Sequence, residues 1–292
     1  MSGGADSGAA TLRRRAGRLR HALWLAGGGL GIALGWGLVE AGWPRLRRLE
    51  LDVPGLPPEL DGLRIAHLSD FHLGVPSPGV RAVDRGVSWA AERRPDLVAV
   101  TGDLLTRPQG EPRLRRLVER LPRPAFAVLG NHDLAIARDP FARPSLVHEL
   151  DPARLLNDEG ELLEVRGRSI WIAGAHPRSL FRRRKKLDPN ALSREADFRI
   201  LLCHFPRVFD RLEPDRFELV LAGHMHDGQI TLPYPGGKVR LAHPTAPYAS
   251  GVYRSRAGVM HVSPGLGTTF VPVRFAARPE ATELVLRSPR DV

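Results

Sequence analysis

The sequence predicts a layered α/β domain, and three observations lead to this fold class. From Leu63 onward, short apolar runs alternate with amphipathic stretches, which is typical of strands that alternate with helices. The chain has 292 residues, of which 42% are hydrophobic, so it is long enough to bury a core and too apolar to be wholly disordered. No internal repeat and no second change of composition follow Leu63, so residues 63–292 are predicted to form one domain.

Short apolar runs and amphipathic stretches define the predicted elements of this domain. The predicted strands are Leu63–Leu68, Leu97–Thr101, Ala125–Leu129, Ile170–Ala173, Arg199–Cys203 and Leu219–Ala222. The predicted helices are Val80–Glu92, Arg113–Glu119, Pro144–Glu149 and Pro206–Leu212. Upstream, residues 44–62 are rich in proline and are predicted to be a linker that includes an alternating edge strand at Arg48–Val53.

The segment before the linker has the features of a membrane anchor. Ala22–Val39 contains no charged residue. As a helix it would span about 27 Å, close to the roughly 30 Å of a hydrocarbon core. Its six glycines would make it a poor helix in water. Residues 22–43 are therefore predicted to be an uncleaved anchor or, alternatively, an export signal, which Arg14 and Arg15 ahead of the apolar stretch would also fit.

Positive charge on both sides of the apolar stretch predicts its orientation. Residues 1–21 form a basic arm with five arginines, and three arginines follow the stretch within residues 45–48. The flank with more Lys and Arg usually stays in the cytoplasm. The N-terminus is therefore expected inside and the main domain on the outer face of the membrane.

The formal net charge of +11 would ordinarily suggest a nucleic-acid partner. The excess, however, is concentrated in the basic arm, in residues 45–50 and in the loop Arg182–Lys186, while the rest of the chain is balanced. Nucleic acid is therefore not favoured, because phospholipid is the polyanion nearest to two of these segments. Arg182, Arg183 and Arg184 are candidates for binding a phosphate-bearing headgroup or an anionic bilayer, and a solvated loop is an equal alternative.

Metal-ligating side chains follow five of the predicted strands at their carboxyl ends, where open α/β sheets build their sites. These side chains are Asp70 and His72, Asp103, Asn131 with His132, His204, and His224 with His226. Each motif alone is weak, and lone histidines such as His67, His148 and His261 are interpreted as packing or surface residues. The order, the strand context and the recurrence together indicate one site.

These motifs, in this order, resemble the calcineurin-like metallophosphoesterase superfamily. The runs LSDFHLG, GHMHDGQI and GLGTTFVPVRFAARPE are similar to its bacterial membrane-associated and exported phosphodiesterase branch, which includes the chlamydial-type UDP-2,3-diacylglucosamine pyrophosphatase. The resemblance covers the chain from about Leu63 to the C-terminus. It implies an αββα sandwich, with two sheets between helices and metals at the strand ends. It also implies a location at the bacterial inner membrane.

The resemblance further implies a set of ligands for two divalent metal ions. The first ion would be held by Asp70, His72, Asp103 and His226, and the second by Asp103, Asn131, His204 and His224. His132 would be the catalytic residue that protonates the leaving oxygen or stabilises the transition state. Carboxylate, amide and imidazole donors suit manganese, iron or zinc, and manganese is favoured because no thiolate cluster points to zinc. The one cysteine, Cys203, also excludes an intrachain disulfide.

Two positions depart from the pattern of this family. Thr106 stands where many relatives have a carboxylate that pairs with the histidine in the place of His132. Either another acid pairs with His132, or His132 is a weaker proton donor near neutral pH. Asp227 stands where a glycine is common, and it is interpreted as a turn residue rather than as part of the metal site.

The predicted function is a dinuclear metal-dependent phosphoester hydrolase of the phosphodiesterase or pyrophosphatase type. Its expected substrate is associated with a membrane, such as a phospholipid or UDP-diacylglucosamine. The alternatives are a membrane-tethered metal-binding scaffold without turnover and a metal-dependent nuclease. The complete ligand set and His132 favour the enzyme, because a scaffold needs no proton donor beside its metals.

Overall fold

Two six-stranded β-sheets, named sheet A and sheet B, organise the chain together with one separate hairpin. The computed structural model describes residues 24, 27–29, 31–136, 139–145, 147–181 and 187–289. In spatial order, sheet A contains β1 (Arg45–Asp52), β14 (Glu280–Arg287), β2 (Arg64–Leu68), β3 (Leu97–Thr101), β4 (Ala125–Val128) and β5 (Arg154–Leu155). Sheet B contains β12 (Gly251–Ser255), β13 (Gly258–Val262), β9 (Leu219–Ala222), β8 (Phe198–Cys203), β7 (Arg168–Ala175) and β6 (Glu159–Val165). The hairpin pairs β10 (Thr231–Tyr234) with β11 (Gly237–Arg240).

The central strands of each sheet run parallel to one another, so their carboxyl ends lie at the same edge of the sheet. Strands β2, β3, β4 and β5 run parallel in sheet A, and β7, β8, β9 and β13 run parallel in sheet B. All five residues of β3 are buried, as expected for a strand that is covered on both faces. The predicted edge strand before the domain is confirmed as β1, which pairs in parallel with β14 from Arg45 onward.

The α-helices of the described ranges are α1 (helical at residues 24, 27–29 and 31–41), α2 (Gly79–Arg93), α3 (Glu111–Val118) and α4 (Pro177–Phe181). Helix α2 ends where Arg94 adopts a left-handed conformation with φ of 48°. The predicted helices at Val80–Glu92 and Arg113–Glu119 are confirmed to within two residues at each end.

Three apolar clusters arrange these elements in four layers. The inner faces of the two sheets pack against each other in one apolar cluster, which includes Ile65 and Phe126 of sheet A and Phe198 of sheet B. The outer face of sheet A packs against α2 and α3, through residues such as Val83 and Leu114. The outer face of sheet B packs against α4 and short 3₁₀ turns. The layer order is therefore the helix–sheet–sheet–helix arrangement that the family resemblance implies.

Two predicted helices differ from the structure. The described residues of Pro144–Glu149 are not helical, because the Ser145 amide and hydroxyl both donate to the Asp133 carbonyl and so hold the chain in a loop. The segment Pro206–Leu212 is a 3₁₀ helix from Pro206 to Arg211 rather than an α-helix.

The C-terminal end of α1 is attached to the domain. The buried carboxylate of Glu40 accepts hydrogen bonds from the amides of Ala276 and Ala277, at 3.1 and 2.8 Å. The Gly37 carbonyl accepts from the Arg274 amide. The predicted anchor, residues 22–43, lies partly outside the described residues, and within the described ranges no helix is both long and apolar enough to cross a bilayer.

Candidate metal centre

The carboxyl ends of five strands bring the predicted ligands together between the two sheets. Strand β2 leads into Asp70 and His72, β3 into Asp103, β4 into Asn131 and His132, β8 into His204, and β9 into His224 and His226. All of these residues are buried except His224, which is half-buried. Residues that are far apart in sequence meet here because the parallel strands end at the same edge.

Four of these residues form a group that we name site 1: Asp70, His72, Asp103 and His226. The Nε2 atom of His72 lies 3.0 Å from His226 Nε2 and 3.5 Å from Asp103 Oδ2. The Nε2 atom of His226 lies 3.3 Å from Asp70 Oδ1. These nitrogen and oxygen atoms surround one point, as the ligands of a divalent cation do.

A second group, named site 2, consists of Asp103, Asn131, His204 and His224. The Nε2 atom of His204 lies 2.9 Å from Asn131 Oδ1, 3.1 Å from His224 Nδ1 and 3.2 Å from Asp103 Oδ2. The same oxygen, Asp103 Oδ2, therefore borders both sites. A carboxylate shared in this way is suited to bridge two ions.

Hydrogen bonds behind the ligands determine which imidazole nitrogen faces each site. The Nδ1 atom of His204 lies 2.9 Å from the Thr101 carbonyl, which can only accept, so Nδ1 carries the proton and Nε2 presents its lone pair to site 2. The Nδ1 atom of His72 lies 3.1 Å from the Thr106 hydroxyl, which leaves Nε2 for site 1. Thr106 therefore contacts His72 rather than His132.

The backbone of the site is strained. Five of the seven predicted ligands have positive φ, between 48° and 78°, namely Asp70, His72, Asp103, His224 and His226. Non-glycine residues rarely adopt this conformation, and it clusters at functional sites where the surrounding structure enforces it. Gly130 allows two of the loops to approach, because a Cβ there would overlap the Asp103 carboxylate.

Asp133 fixes the loops that carry the shared ligand. Its buried carboxylate accepts hydrogen bonds from the amides of Leu104, Leu105 and Gly130, at 3.2, 2.7 and 2.8 Å. The loop after β3 and the loop after β4 are thereby tied together. This position follows His132 directly in the sequence, so the motif GNHD contains both a ligand loop and the group that holds it.

The carboxylates and imidazoles of the site shift the pKa values of one another. Burial would raise the pKa of Asp70, but the neighbouring His226 holds it below its usual range. The pKa of Asp103 is also held well below its usual range, against burial, by His204 and His132. Burial lowers the pKa of His224 to about 3, whereas the Asp103 carboxylate overcomes burial at His204 and raises its pKa to about 9. The site therefore concentrates negative charge at the two carboxylates.

His132 is a buried residue beside site 1, and it lies between two carboxylates. Its Nε2 atom is 3.9 Å from Asp103 Oδ2, and its Nδ1 atom is 3.6 Å from Asp139 Oδ2. Its ring packs at a right angle against the ring of His72, with centroids 4.5 Å apart. Asp139 is a residue that sequence reasoning missed, because it lies in a loop that contains no recognisable motif.

Asp227 anchors the β10–β11 hairpin. It has a φ of 52°, and its buried carboxylate pairs with Lys238 and with Arg240, 3.5 Å from Arg240 Nε, while Ser250 donates a hydrogen bond at 2.9 Å. The prediction of a turn residue is correct for its backbone. Its side chain also holds the β10–β11 hairpin in place beside the site.

A chain of buried hydrogen bonds reaches site 1 from the core. The Nδ1 atoms of His261 and His67 are 2.8 Å apart, and His67 Nε2 is 2.9 Å from Thr101 Oγ1. The Thr101 hydroxyl bonds to Ser69 Oγ at 2.8 Å, and Ser69 Oγ donates to Asp70 Oδ2 at 2.5 Å. The predicted packing role of His67 and His261 is correct as far as burial goes, and His148 is exposed as expected.

Arg274 is a fully buried cation beside site 1, and sequence reasoning missed it. Its guanidinium donates to the carbonyls of Gly265, Gly267 and Ala277, and its Nη2 lies 2.9 Å from His226 Nδ1. Burial lowers its pKa to about 10. The predicted substrate-binding arginines, Arg182, Arg183 and Arg184, lie outside the described residues.

The donor atoms fit two divalent ions. Three groups of titratable side chains in the described chain could each hold a cation, and between them they contain all the predicted ligands except Asn131, whose amide lies in site 2. One of these groups also includes His132 together with His72 and Asp103. Carboxylate, amide and imidazole donors are compatible with manganese, iron and zinc.

Comparison with known proteins gives consistent matches. The sequence model of the calcineurin-like phosphoesterase family matches residues 63–228, which is more than half of the chain. The chain is 33% identical, over 86% of its length, to a zebrafish (Danio rerio) transmembrane protein with a metallophosphoesterase domain, and it spans 60% of that relative. It is 27% identical to the metallophosphoesterase YkoQ of Bacillus subtilis, over 82% of this chain and 88% of YkoQ. It is also 25% identical to the UDP-2,3-diacylglucosamine pyrophosphatase LpxG of Chlamydia trachomatis, over 81% of this chain and 87% of LpxG.

Proposed function

The chain belongs to the calcineurin-like phosphoesterase family, and on this premise we propose that it hydrolyses phosphoester or pyrophosphate bonds at a dinuclear metal centre. The observation that carries the proposal is the convergence of both ligand groups on one oxygen, Asp103 Oδ2. A structural metal site needs no such sharing, whereas a pair of adjacent ions is suited to phosphoryl transfer.

The residues of the site would have separate roles in this reaction. One ion would be held by Asp70, His72 and His226, and the other by Asn131, His204 and His224. Asp103 would contribute to both sites. Divalent ions held there supply Lewis-acid chemistry, which neutralises phosphoryl charge and makes water a better nucleophile. Asp133 and the hydrogen bonds to Thr101 and Thr106 keep the ligands in place before substrate arrives.

His132 is proposed to deliver the proton to the leaving oxygen. It follows the ligand Asn131, packs against His72 and is not needed to complete either ligand group. Its Nε2 atom is on the side of Asp103 and therefore on the side where a phosphoryl group would lie. General acids of this kind typically contribute a factor on the order of 10²–10⁴ to the rate.

Manganese is the proposed ion, with iron or zinc as alternatives. The donors are carboxylate, amide and imidazole, which manganese accepts readily. Cys203 is buried, and burial raises the pKa of its thiol to about 12, so it offers no thiolate that would select zinc. Metal analysis of the protein purified without chelators would identify the ion.

The proposed substrate is a phosphorylated amphiphile at a membrane surface, such as a phospholipid or UDP-diacylglucosamine. The name of the chlamydial relative, a UDP-2,3-diacylglucosamine pyrophosphatase, supports this substrate class. Further support comes from the apolar sequence 22–39 and from exposed apolar side chains of the adjoining helix, such as Ile32 and Leu34. We propose that this segment anchors the protein in a bacterial inner membrane with the domain on the extracytoplasmic side, which protease protection in spheroplasts would test.

A hydrolysis assay tests the proposed function directly. Purified full-length protein is incubated with bis(4-nitrophenyl) phosphate, with and without Mn²⁺, and compared with Asp103→Ala. The expected result is metal-dependent hydrolysis that Asp103→Ala abolishes. Asp158→Asn is the matched control, because the Asp158 carboxylate accepts a hydrogen bond from the His176 amide and lies outside both ligand groups.

The same assay separates the enzyme from a scaffold that binds metal without turnover. UDP-2,3-diacylglucosamine and phospholipid vesicles are tested alongside the chromogenic diester. A protein that binds two equivalents of Mn²⁺ but hydrolyses none of these substrates would be a scaffold, and the proposed function would be wrong.

A further inference from the structure

One ring nitrogen of His132 has no hydrogen-bond partner. Its Nδ1 atom is buried, and nothing in the described part of the chain forms a hydrogen bond with it. A buried polar atom without a partner costs free energy and calls for an explanation. The nearest acceptor is Asp139 Oδ2 at 3.6 Å, only slightly beyond hydrogen-bond distance.

Asp139 is itself held in a fixed orientation. It is buried, and the Phe141 amide donates to its Oδ1 at 2.8 Å. The Thr269 hydroxyl donates to its Oδ2 at 3.2 Å, and the Phe270 amide approaches the same oxygen at 3.4 Å. Two separate loops therefore aim this carboxylate at His132, and a small rotation of the His132 ring would complete the bond. Catalytic hydrogen bonds are often long before substrate binds and tighten when it does.

The two nitrogens of His132 face different groups. Nδ1 faces Asp139, whereas Nε2 faces Asp103 and lies 3.4 Å from Thr269 Oγ1. A hydrogen bond from Nδ1 to Asp139 would thus fix both the rotation of the ring and its tautomer. It would keep Nε2 directed at the place where the leaving oxygen must lie. Thr106 cannot serve this purpose, because its hydroxyl is bonded to His72.

We propose that Asp139 is the positioning residue of His132, supplying from a different loop the carboxylate that is missing at Thr106. The inference rests on the proposed function, since it assigns a partner to the proposed proton donor. Asp139 acts through His132, and within the described chain its carboxylate forms no hydrogen bond or ion pair with the predicted ligands of either ion. Its loss is therefore expected to leave metal binding intact and to reduce the rate of leaving-group departure.

A double-mutant cycle on two substrates tests this inference. Wild type, Asp139→Asn, His132→Ala and the double variant are assayed with Mn²⁺ on bis(4-nitrophenyl) phosphate and on diphenyl phosphate. The second substrate has the more basic leaving group and needs the proton donor more. His132→Ala is expected to lower kcat on diphenyl phosphate on the order of 10²–10⁴-fold. Asp139→Asn is expected to lower it on the order of 10- to 100-fold, with little change on the nitrophenyl ester.

The cycle also distinguishes positioning from a general loss of structure. In the His132→Ala background, Asp139→Asn should have no further effect, because its only route to the reaction has been removed. Metal content and KM should stay at wild-type values, as they should in the Asp158→Asn control. Additive losses, an equal loss on both substrates, or loss of metal in Asp139→Asn would each overturn the inference.

A spectroscopic measurement decides the matter independently of turnover. In the metal-free protein, ¹⁵N NMR should show neutral His132 protonated at Nδ1, with its signals assigned by their absence in His132→Ala. In Asp139→Ala the proton should redistribute toward Nε2, as in a free histidine side chain. An unchanged tautomer would overturn the inference. If the wild type hydrolyses neither the diesters nor UDP-2,3-diacylglucosamine nor phospholipid, the proposed function fails, and this measurement still decides whether Asp139 positions His132.

Discussion

Two groups of histidines lie in the interior of the described chain, all of them buried except the half-buried His224, and the two groups differ in their surroundings. The site histidines, which are His72, His204, His224 and His226, lie beside the carboxylates of Asp70 and Asp103. The core pair, which is His67 and His261, bonds within itself and to the Thr101 hydroxyl. The first group has ring nitrogens directed at the two ligand groups. The second group has three of its four ring nitrogens bonded within the core, and the fourth, His261 Nε2, has no hydrogen-bond partner in the described chain.

The comparison shows that burial alone does not determine the charge of a histidine. Burial lowers the pKa of His261 to about 3, so the core pair is neutral at every physiological pH. His204 is equally buried, but Asp103 raises its pKa to about 9. The difference is the carboxylate, which favours the charged imidazole and also attracts a metal cation that would replace the proton.

The two groups are nevertheless connected by a directional hydrogen-bond chain. Asp70 can only accept, so Ser69 donates to it and Thr101 donates to Ser69. His67 must then donate from Nε2 to Thr101, and its Nδ1 must accept from His261 Nδ1. Every proton in the chain is thereby assigned. The chain holds Asp70 by Oδ2 and leaves Oδ1 directed at site 1.

The largest effect is expected from removing a site histidine. His204→Ala should reduce the bound metal from two equivalents to one and lower kcat by more than about 100-fold. This loss exceeds the roughly 10- to 100-fold that is typical when only a residue hydrogen-bonded to a ligand is removed, because here the ligand itself is removed. Metal analysis and the diester assay would measure both. His261→Gln is the core counterpart and should retain two equivalents. A His204→Ala variant that still binds two ions would show that site 2 is misassigned.

A substitution in the core pair tests whether the chain to Asp70 matters. His67→Phe leaves the His261 Nδ1 proton without an acceptor, so the free energy of unfolding should fall by about 1–3 kcal/mol. The affinity of site 1 for Mn²⁺ should fall roughly 10- to 100-fold, while site 2 is unaffected. His67→Gln can both donate and accept, so it should restore both properties. Equal losses at both sites, measured by calorimetric titration, would indicate general damage instead.

The sequence predicted the site residues that directly follow strands. It did not predict the residues that reach the site from distant loops. Asp70, Asp103 and His204 could be identified because each directly follows an apolar strand, and parallel strands share an edge. Asp139 and Arg274 lie in irregular segments, and only tertiary packing brings them to His132 and His226.

Hydrogen-bond partners and local loop conformations were beyond the sequence for the same reason. The sequence left open which group orients His132, and it did not indicate that the Thr106 hydroxyl bonds to His72. The helix predicted at Pro144–Glu149 has the composition of a helix, but Ser145 bonds to Asp133 in a different loop. Local propensity cannot anticipate such a contact, because it depends on where Asp133 is held.

Because the core pair is buried in its neutral form, we also expect the free energy of unfolding to fall at acid pH. In the unfolded chain a histidine takes up a proton below its ordinary pKa of 6.5, whereas folded His261 does so only near 3. The unfolded state therefore binds more protons between these values, and stability present above pH 6.5 is lost as the pH falls toward 3. The loss attributable to this imidazole is roughly 2 kcal/mol between pH 7 and pH 5. Urea titrations of metal-free wild type and His261→Phe should show a shallower dependence in the variant, and equal slopes would contradict the prediction.

The smallest effect is expected at Thr106, a buried residue of the loop after β3 whose hydroxyl bonds to the site histidine His72. Thr106→Val keeps the shape and the backbone hydrogen bonds of this buried residue but removes the hydroxyl that lies 3.1 Å from His72 Nδ1. The free energy of unfolding of the metal-free protein should fall by about 0.5–1.5 kcal/mol, and site 1 should lose about tenfold in Mn²⁺ affinity. Thr106→Ser retains the hydroxyl and should behave as wild type. Because Thr106 does not contact His132, the preference for good leaving groups should be the same in Thr106→Val as in wild type, and a changed preference would mean that Thr106 acts on the proton donor after all.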